Sequence, residues 1–532
     1  MSDTRRESNK SAAANATTTR RKEEEIMTDF EDYVRPYGLF SKIDAFGYLK
    51  DLQEHPDQPR KDGKVILVTA DTPLKASRGE GKTTTTIALI DALRARGVDA
   101  AAVLRQPSMG ITAAGSKGGA SGGGKASLTH PELVDWGLCG EMAAIESAQN
   151  LLVSFAEKAV DEGRLDTVLV PRVSEVPSRS LRQIAVDRGK GNLSERTVLT
   201  PTCELMQIVV LSRSMEEIGQ RVAAMVAGTL DGKPVRFGDF IDLWRITGIL
   251  TDAVKPAYTE TLQGSPVYVH CGPFANVSIG IPSLVSVQMA CARHDVVIVE
   301  AGYGADAGAQ KWLDIAAREY GAQWPAAAVV VTRATTWRDD PKLQWRYPFH
   351  VNRLESLGIP TFPMINLWEG EDDQVSQLRQ TASDLGFRSP IMGNLFRDGG
   401  RALEDQLDGL IEALGAPAPA DADTVSHHGM DVMDQICWIA QSAYGVSGSR
   451  VVEKDGFDQS LEQARQLCAQ IGVNLEDLTI VAVKSPATMT DDDTAPEDQR
   501  TVTLKKVEPH VGAGLLQVNL TTSLTTPMPK IV

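Results

Sequence analysis

The sequence lacks several features that would place the chain in a membrane, outside the cell or on nucleic acid. Its six cysteines are far apart and form no CxxC pair, so we expect neither a zinc site nor a disulfide framework. No stretch approaches the roughly 20 uninterrupted apolar residues of a membrane helix. The net charge of −16 argues against a general nucleic-acid binder, which needs a basic surface to neutralise phosphates. These absences favour a protein of the reduced cytoplasm with no membrane or nucleic-acid partner.

The first residues also have little apolar character. Residues 1–29 are rich in Ser, Thr, Ala, Arg, Lys and Glu and lack the hydrophobic core of a secretory signal. We predict a disordered tail. A transit peptide is the alternative, although Glu7 and the acidic run 23–25 are unusual in one.

A strand, a glycine loop, a helix and a second strand follow in order. Residues 65–70 are a short apolar run typical of a buried strand, and residues 81–96 have helical periodicity. A second buried strand is predicted at 101–104. This order makes a βαβ unit and therefore predicts a parallel sheet.

Further apolar runs extend the predicted sheet. We predict strands at 207–211, 267–270, 295–300, 327–332 and 361–366, and another at 478–483. The predicted fold class is α/β: a P-loop NTPase-like large domain with a mostly parallel sheet, plus two smaller α/β lobes. The predicted boundaries are a core at 30–360, a lobe at 361–415 that contributes to a substrate pocket, a linker at 416–423 and a C-terminal lobe at 424–532.

The loop between the first strand and the helix is suited to phosphate. Glycines let backbone N–H groups approach phosphate oxygens, and the helix N-terminus adds partial positive charge. Lys82 would reach the terminal phosphates, and the Thr83 hydroxyl would be a Mg²⁺ ligand. The predicted ATP-binding residues are Gly79, Glu80, Gly81, Lys82, Thr83 and Thr84. An ordinary glycine turn is the alternative, because the full GxxxxGK[ST] pattern needs glycine where this chain has Ala76.

Seven short motifs, of which the glycine loop is the first, lie along the chain. They are GEGKTTT at 79–85, LRQPSMG at 104–110, KGGASGGG at 117–124, CGPFAN at 271–276, EAGYGADAGAQK at 300–311, GIPTFPMIN at 358–366 and GAG at 512–514. In order and rough spacing the chain resembles the formate–tetrahydrofolate ligases from about residue 35 to 530, as a divergent member.

The resemblance implies a reaction and its main residues. Family members use ATP to convert formate to formyl phosphate, which the N-10 amine of tetrahydrofolate then attacks. Lys82 and Arg105 would be the catalytic phosphate clamp, although Arg105 read alone is also typical of a surface arginine at a strand end. The formyl-phosphate loop would comprise Arg105, Lys117, Gly122, Gly123, Gly124 and Lys125, for which a flexible linker is the alternative. The implied assembly is a homotetramer.

The resemblance also implies a folate site. Family members hold the pterin ring with aromatic side chains, which this chain matches with Tyr303, Trp368 and Phe396. Asp306, in the same motif as Tyr303, is also expected to bind the folate. Aromatics are only 5% of the sequence, which makes three retained rings informative, although core packing is the alternative for each.

Several positions depart from the family pattern. Gln106 replaces an acidic residue associated with a monovalent-cation site, so we expect no strong cation activation. Lys125 replaces a tyrosine, Ile279 a histidine, and the family's KGGEG is DGGRA at 398–402. These changes leave two alternatives open: a paralogue that activates another carboxylate or pterin, and a folate- or nucleotide-binding protein without turnover.

Overall fold

The computed structural model describes residues 29–73, 79–108, 121–176, 183–187, 192–335, 343–416 and 426–521. The predicted N-terminal tail and most of the predicted linker therefore lie outside the described residues. No helix in the described parts of the chain is long and apolar enough to cross a membrane.

The fold is built around one ten-stranded sheet with the order β1-β2-β13-β14-β4-β15-β3-β16-β17-β18. Its strands are β1 (Val34–Tyr37), β2 (Phe40–Ile43), β3 (Lys64–Ala70), β4 (Ala100–Leu104), β13 (Ala257–Glu260), β14 (Pro266–Val269), β15 (Val296–Glu300), β16 (Ala327–Arg333), β17 (Thr361–Asn366) and β18 (Ile391–Gly393). Neighbouring strands from β14 to β18 are all parallel, whereas β1, β2 and β13 form an antiparallel edge. The mixed α/β class with a large, mostly parallel sheet is confirmed.

The central strands are apolar along their whole length because both faces of the sheet are covered. In β3, Val65 and Leu67 belong to the hydrophobic cluster on one face, while Ile66 and Val68 belong to the cluster on the other. Successive side chains of a strand point to opposite faces, so a continuous apolar run fills both clusters.

Helices cover the two faces and form the peripheral parts. They are α1 (Ala45–Glu54), α2 (Lys82–Ala95), α3 (Pro131–Asp135), α4 (Glu141–Asp161), α5 (Glu204–Leu211), α6 (Met215–Ala224), α7 (Trp244–Leu250), α8 (Leu284–Arg293), α9 (Arg346–Ser356), α10 (Val375–Asp384), α11 (Leu395–Asp398), α12 (Asp408–Gly415), α13 (Val432–Tyr444) and α14 (Phe457–Gln470). Two π-helical segments, Ala305–Ala309 and Trp312–Ala317, follow β15.

Smaller sheets surround the central one. They are β8-β10-β9, β12-β11-β7, the hairpin β5-β6, and a C-terminal sheet with the order β19-β21-β22-β20. Their strands are β5 (Gly122–Gly123), β6 (Ala126–Ser127), β7 (Thr167–Val168), β8 (Arg172–Ser174), β9 (Gln183–Asp187), β10 (Asn192–Leu199), β11 (Val226–Leu230), β12 (Lys233–Arg236), β19 (Val451–Glu453), β20 (Thr479–Val483), β21 (Val502–His510) and β22 (Leu515–Leu520). The C-terminal sheet, α13 and α14 share a hydrophobic cluster of their own.

The predicted strands agree with the structure except at one place. Residues 207–211 were predicted as a strand and lie instead in α5, whose first turn is capped by Cys203 Sγ accepting from the Met206 N–H. Seven of the eight residues of this helix are fully buried. The helix therefore has no exposed polar face, and its sequence lacks the alternation of apolar and polar residues that indicates a helix. The domain division stays a prediction, and the two strands within 361–415 continue the central sheet.

Candidate active site

The carboxyl ends of the parallel strands bring charged and polar side chains to one edge of the sheet. Asp71 follows β3, Arg105 follows β4, Glu300 ends β15 and Asn366 ends β17. In open α/β sheets this edge is where ligands bind. The order and direction of the strands therefore place the candidate site at this edge of the sheet.

The GEGKT loop has the backbone that a phosphate loop needs. Gly79 and Gly81 have φ values of +113° and +90°, which only glycine adopts readily. A Cβ on Gly81 would lie 2.3 Å from Asn366 Nδ2, so the loop packs directly against the end of β17. Gly81 is also the N-cap of α2, whose free N–H groups and dipole favour an anion.

One carboxylate connects the loop with Arg105. The Thr83 hydroxyl donates to Glu300 Oε2 at 2.6 Å, and an Arg105 terminal nitrogen lies 3.2 Å from Glu300 Oε1. Sequence reasoning did not assign Glu300, although it begins the EAGYGAD motif. Its position at the end of the apolar run predicted as the strand 295–300 was the available signal.

Arg105 is held in a closely packed niche. Its side chain is buried, it donates to the Pro273 carbonyl at 3.2 Å, and its Nε has no hydrogen-bond partner among the described residues. A Cβ on Gly302 would lie 2.9 Å from an Arg105 nitrogen, so glycine is required beside the guanidinium. Arg105 is thus buried and fixed, which excludes the alternative of a surface arginine.

Lys82 lies half-buried at the start of α2. Burial lowers the pKa of its ammonium, the carboxylate of Glu300 opposes that shift, and the positive charge of Arg105 adds to it. An incoming polyanion would supply the negative charge that keeps Lys82 protonated. The charges around Lys82 therefore suit a phosphate ligand.

A second buried network lies behind the loop. Asp306 accepts a hydrogen bond of 2.7 Å from the Thr72 hydroxyl, forms an ion pair with Lys484 of the segment after β20, and lies 3.8 Å from His350 Nε2. Burial raises the pKa of Asp306, but the charges of Lys484 and His350 hold it below its usual range. The predicted folate ligand Asp306 thus joins the C-terminal part of the chain to this network.

Asp71 is a further buried acid that sequence reasoning missed. Burial raises the pKa of Asp71 to about 7, and the nearby carboxylates of Glu80 and Asp306 act in the same direction against Arg346. Arg346 donates to the Thr72 carbonyl at 2.9 Å and pairs with Asp493 at 3.3 Å. A carboxyl with a pKa this close to neutrality is typical of functional sites, and Asp71 lies at the same edge of the sheet as the GEGKT loop.

The three aromatic residues of the predicted folate site follow strands at the same edge. Trp368 comes after β17 with half of its surface exposed, and the Arg333 guanidinium lies 4.0 Å from its ring centroid. Phe396 comes after β18 and is 68% exposed. Such exposure does not fit core packing for either ring. Tyr303 is half-buried after β15, in the left-handed region at φ +54°, an uncommon conformation for a tyrosine.

The glycines of the predicted formyl-phosphate loop pack against Phe396. A Cβ on Gly123 would lie 3.3 Å from the Phe396 ring, and one on Gly124 would lie 2.0 Å from its carbonyl oxygen. The Lys125 N–H donates to that same carbonyl at 2.9 Å. Gly122 to Lys125 are therefore adjacent to the predicted pterin site, whereas Lys117 lies outside the described residues.

Comparison with known proteins decides the family. The family model described as formate–tetrahydrofolate ligase matches residues 11–341. A formate–tetrahydrofolate ligase of Bifidobacterium longum is 75% identical over 507 residues, which cover 95% of this chain and all of that protein. The chain belongs to the formate–tetrahydrofolate ligase family.

More distant members match as well. The formate–tetrahydrofolate ligase of Haloarcula marismortui is 29% identical over 539 residues, covering 93% of this chain and 95% of its own. That of Acidiphilium cryptum is 32% identical over 437 residues, or 77% of each chain. The similarity to these two members thus extends well beyond a single motif.

Two departures from the ligase pattern have simple local explanations. Gln106 is buried, and its amide nitrogen donates to the backbone carbonyls of Val134 and Pro107. It therefore satisfies two backbone acceptors of the neighbouring loops. Ile279 is fully buried in the main hydrophobic cluster. Neither position leaves a charged or ionisable group at the site.

Proposed function

We propose that the protein is a formate–tetrahydrofolate ligase, which uses ATP to convert formate to formyl phosphate and transfers the formyl group to tetrahydrofolate. The observation that carries this function is the 75% identity to a formate–tetrahydrofolate ligase over 95% of the chain. The geometry that supports it is the glycine loop whose Thr83 shares Glu300 with Arg105.

We propose that the loop and the start of α2 hold the ATP phosphates. Backbone N–H groups at Gly79 to Thr84 and the Lys82 ammonium would bind the phosphates, and the positive φ values of Gly79 and Gly81 support a tight glycine turn that leaves no Cβ in the way. Lys82 and Arg105 would neutralise charge that develops on the transferring phosphoryl group, which is the main task in phosphoryl transfer. Glu300 would orient Arg105 and Thr83 for this role.

A magnesium ion is proposed at the same place. The Thr83 hydroxyl and the Glu300 carboxylate offer oxygen atoms side by side, which are the ligands Mg²⁺ prefers. The described residues contain no cluster of three or more His, Cys, Asp or Glu suited to a metal. This donor set fits an ion held mainly by ATP oxygens and water, and Mg²⁺ would offset the phosphate charge when bound.

We propose that tetrahydrofolate binds at the exposed rings on the same edge. Stacking on Tyr303, Trp368 and Phe396 would hold the flat pterin while leaving its edges free for hydrogen bonds. The glycines packed against Phe396 would then bring the formyl-phosphate loop to the acceptor amine. We further propose a cytoplasmic homotetramer, which a light-scattering mass near the 57.4 kDa of one chain would contradict.

The test is formation of the formylated product. Purified protein with ATP, Mg²⁺, formate and tetrahydrofolate should release ADP and form 10-formyltetrahydrofolate in equal amounts. ADP release with a different small carboxylate, but not with formate, would favour the paralogue. Binding of ATP and tetrahydrofolate without ADP release would favour a protein without turnover.

A further inference from the structure

Thr72 lies just beyond β3, on the segment that leads to the GEGKT loop, and every polar group of this residue is engaged. Its N–H donates to the Asp71 carboxylate at 2.7 Å, and its carbonyl accepts from Arg346 at 2.9 Å. Its hydroxyl donates to Asp306 Oδ1 at 2.7 Å and lies 3.0 Å from His350 Nε2. Because Thr72 is fully buried, these protein groups satisfy it and fix its position.

A glycine allows Asp306 to approach Thr72 this closely. A Cβ on Gly304 would lie 2.4 Å from Asp306 Oδ1 and 3.0 Å from the Thr72 Cα atom. Both distances are shorter than ordinary van der Waals contact, so a larger residue would displace the carboxylate or the backbone of Thr72. The glycine and the acid of the EAGYGAD motif thus form one contact surface for the segment that precedes the GEGKT loop.

Asp306 and Arg346 are in turn held by one segment of the C-terminal part of the chain, residues 484–493, which follow β20. Lys484 forms an ion pair with Asp306, and Asp493 pairs with Arg346 at 3.3 Å. The side chains of both pairs are at most 4% exposed, and removing one partner of a buried pair leaves an uncompensated charge. The 484–493 segment therefore supports both the hydroxyl contact and the carbonyl contact of the threonine.

Asp306 also acts on the GEGKT loop through its charge. Burial lowers the pKa of the Lys82 ammonium, and the carboxylates of Glu80 and Asp306 are among the charges that oppose this shift. Such an interaction weakens with distance, so Asp306 lies close to Lys82. Its own two oxygens face Thr72 and Lys484, and the residue is only 1% exposed. This position favours support of the loop over direct contact with the folate.

We propose that Asp306 and Lys484 are positioning residues for ATP, which hold the segment before the GEGKT loop through the Thr72 hydroxyl. The 484–493 segment would complete the ATP site from outside the central sheet without touching a phosphate. A loop that is fixed before the ligand arrives loses less conformational entropy on binding, so ATP affinity should fall when the contact is removed. Tetrahydrofolate affinity should change little, because the proposed pterin site is built from other residues. The inference rests on the proposed function, because it assumes that the GEGKT loop binds ATP.

Binding of ATP alone, without formate or folate, tests the contact at Thr72. Thr72→Val keeps the shape of the side chain but removes the hydroxyl, and should weaken ATP binding about tenfold, within the usual range of coupling between two sites. Thr72→Ser restores the hydroxyl and should bind ATP as the wild type does. The matched control is Thr69→Val, because the Thr69 hydroxyl is buried in β3 with no hydrogen-bond partner among the described residues. Isothermal titration calorimetry of the full-length variants measures each affinity.

Folate binding separates this role from that of a folate ligand. Asp306→Asn should weaken ATP binding, because Lys484 loses its counter-charge, while the affinity for tetrahydrofolate should stay close to that of the wild type. An Asp306→Asn protein that loses tetrahydrofolate affinity and keeps ATP affinity would overturn the proposal and show that Asp306 binds the folate. Unchanged ATP affinity in a well-folded Thr72→Val protein would overturn it as well.

Hydrogen–deuterium exchange of the wild type tests the contribution of the 484–493 segment and does not depend on a variant folding. Coupling between sites is reciprocal, so ATP should slow exchange in this segment, and α14 of the same C-terminal cluster is the internal control. Lys484→Gln should weaken ATP binding about tenfold, whereas Lys506→Gln, at an exposed lysine on β21, should not. Exchange in residues 484–493 that ATP leaves unchanged, or full ATP affinity in a folded Lys484→Gln protein, would overturn the proposal. A wild type that binds ATP but forms no 10-formyltetrahydrofolate would instead overturn the proposed function alone.

Discussion

Thr83 and Arg105 contact opposite oxygens of the Glu300 carboxylate, at 2.6 Å and 3.2 Å. Three strands of the sheet supply these groups, since Thr83 follows β3 through the loop, Arg105 follows β4, and Glu300 ends β15. A single side chain therefore sets the position of both a proposed metal ligand and a proposed phosphate ligand.

Removing the Glu300 carboxylate should impair catalysis more than folding. Glu300→Gln keeps the shape of the side chain but removes the charge that orients Arg105, and we expect a loss on the order of 10²-fold in kcat/KM for ATP. Steady-state kinetics and circular dichroism on the same preparation provide the check. A fully active Glu300→Gln enzyme would show that Arg105 needs no carboxylate partner.

The Lys82 ammonium is the most direct probe of phosphate binding. Lys82→Ala should lower the rate of ADP release on the order of 10³-fold or more, because phosphoryl transfer depends on electrostatic stabilisation. The fold should persist, since Lys82 lies at the first position of α2 and is only half-buried. Unchanged ADP release in a well-folded variant would rule out this role.

Trp368 should contribute to folate binding through stacking. Trp368→Ala should lose roughly 1–3 kcal/mol of tetrahydrofolate binding, the scale for base–aromatic stacking, with little change in ATP affinity. Trp244→Ala is the matched control, because Trp244 is also exposed, at 60%, and lies on α7. Equal loss in both variants, or no loss in Trp368→Ala, would count against the predicted pterin site.

Activity should depend little on the monovalent cation. Gln106 carries no charge to offset the desolvation of a bound cation, and its amide nitrogen donates to the Val134 and Pro107 carbonyls. Turnover rates in potassium, sodium and lithium chloride at equal ionic strength should be similar. Strong activation by potassium over lithium would indicate that another group supplies the cation site.

The raised pKa of Asp71 predicts that the free energy of unfolding depends on pH. Its pKa of about 7 in the folded protein is above the ordinary aspartate value, so the folded state binds the proton more tightly than the unfolded state. The stability contribution of this proton is fully present below the unfolded pKa and is lost as pH rises through about 7. Asp71→Asn should therefore gain stability relative to wild type between pH 5 and pH 8, by about 1 kcal/mol or more.

Chemical denaturation at the two pH values measures this difference directly. Other buried acids titrate in both proteins, Glu204 among them, so only the change in the difference between variant and wild type is informative. A difference that stays constant from pH 5 to pH 8 would show that Asp71 is ionised throughout.

Local patterns were sufficient to predict the core of the sheet and the glycine loop that follows β3. The runs that became β3, β4 and β15 are continuous and apolar because they are buried on both faces. The loop is defined by a few consecutive residues, whose glycines have the positive φ values that such a turn needs. The short helix α5 could not be predicted, because nearly all of it is buried and its sequence shows no helical repeat of apolar and polar residues.

Long-range partners could not be predicted in the same way. The contacts of Asp306 with Thr72, His350 and Lys484 join residues that are far apart in the sequence. Nothing in the sequence around Lys125 indicates that it faces the turn at Arg401. Such relationships depend on how strands are ordered in the sheet, which local propensity does not encode.

Formylated product measured together with ADP tests the central claim most directly. Wild-type protein incubated with ATP, Mg²⁺, tetrahydrofolate and isotopically labelled formate should yield labelled 10-formyltetrahydrofolate and ADP in a one-to-one ratio by mass spectrometry, and neither product should form without formate. ADP release that is indifferent to formate, or tetrahydrofolate that stays unlabelled while the protein is folded and binds ATP, would contradict the account.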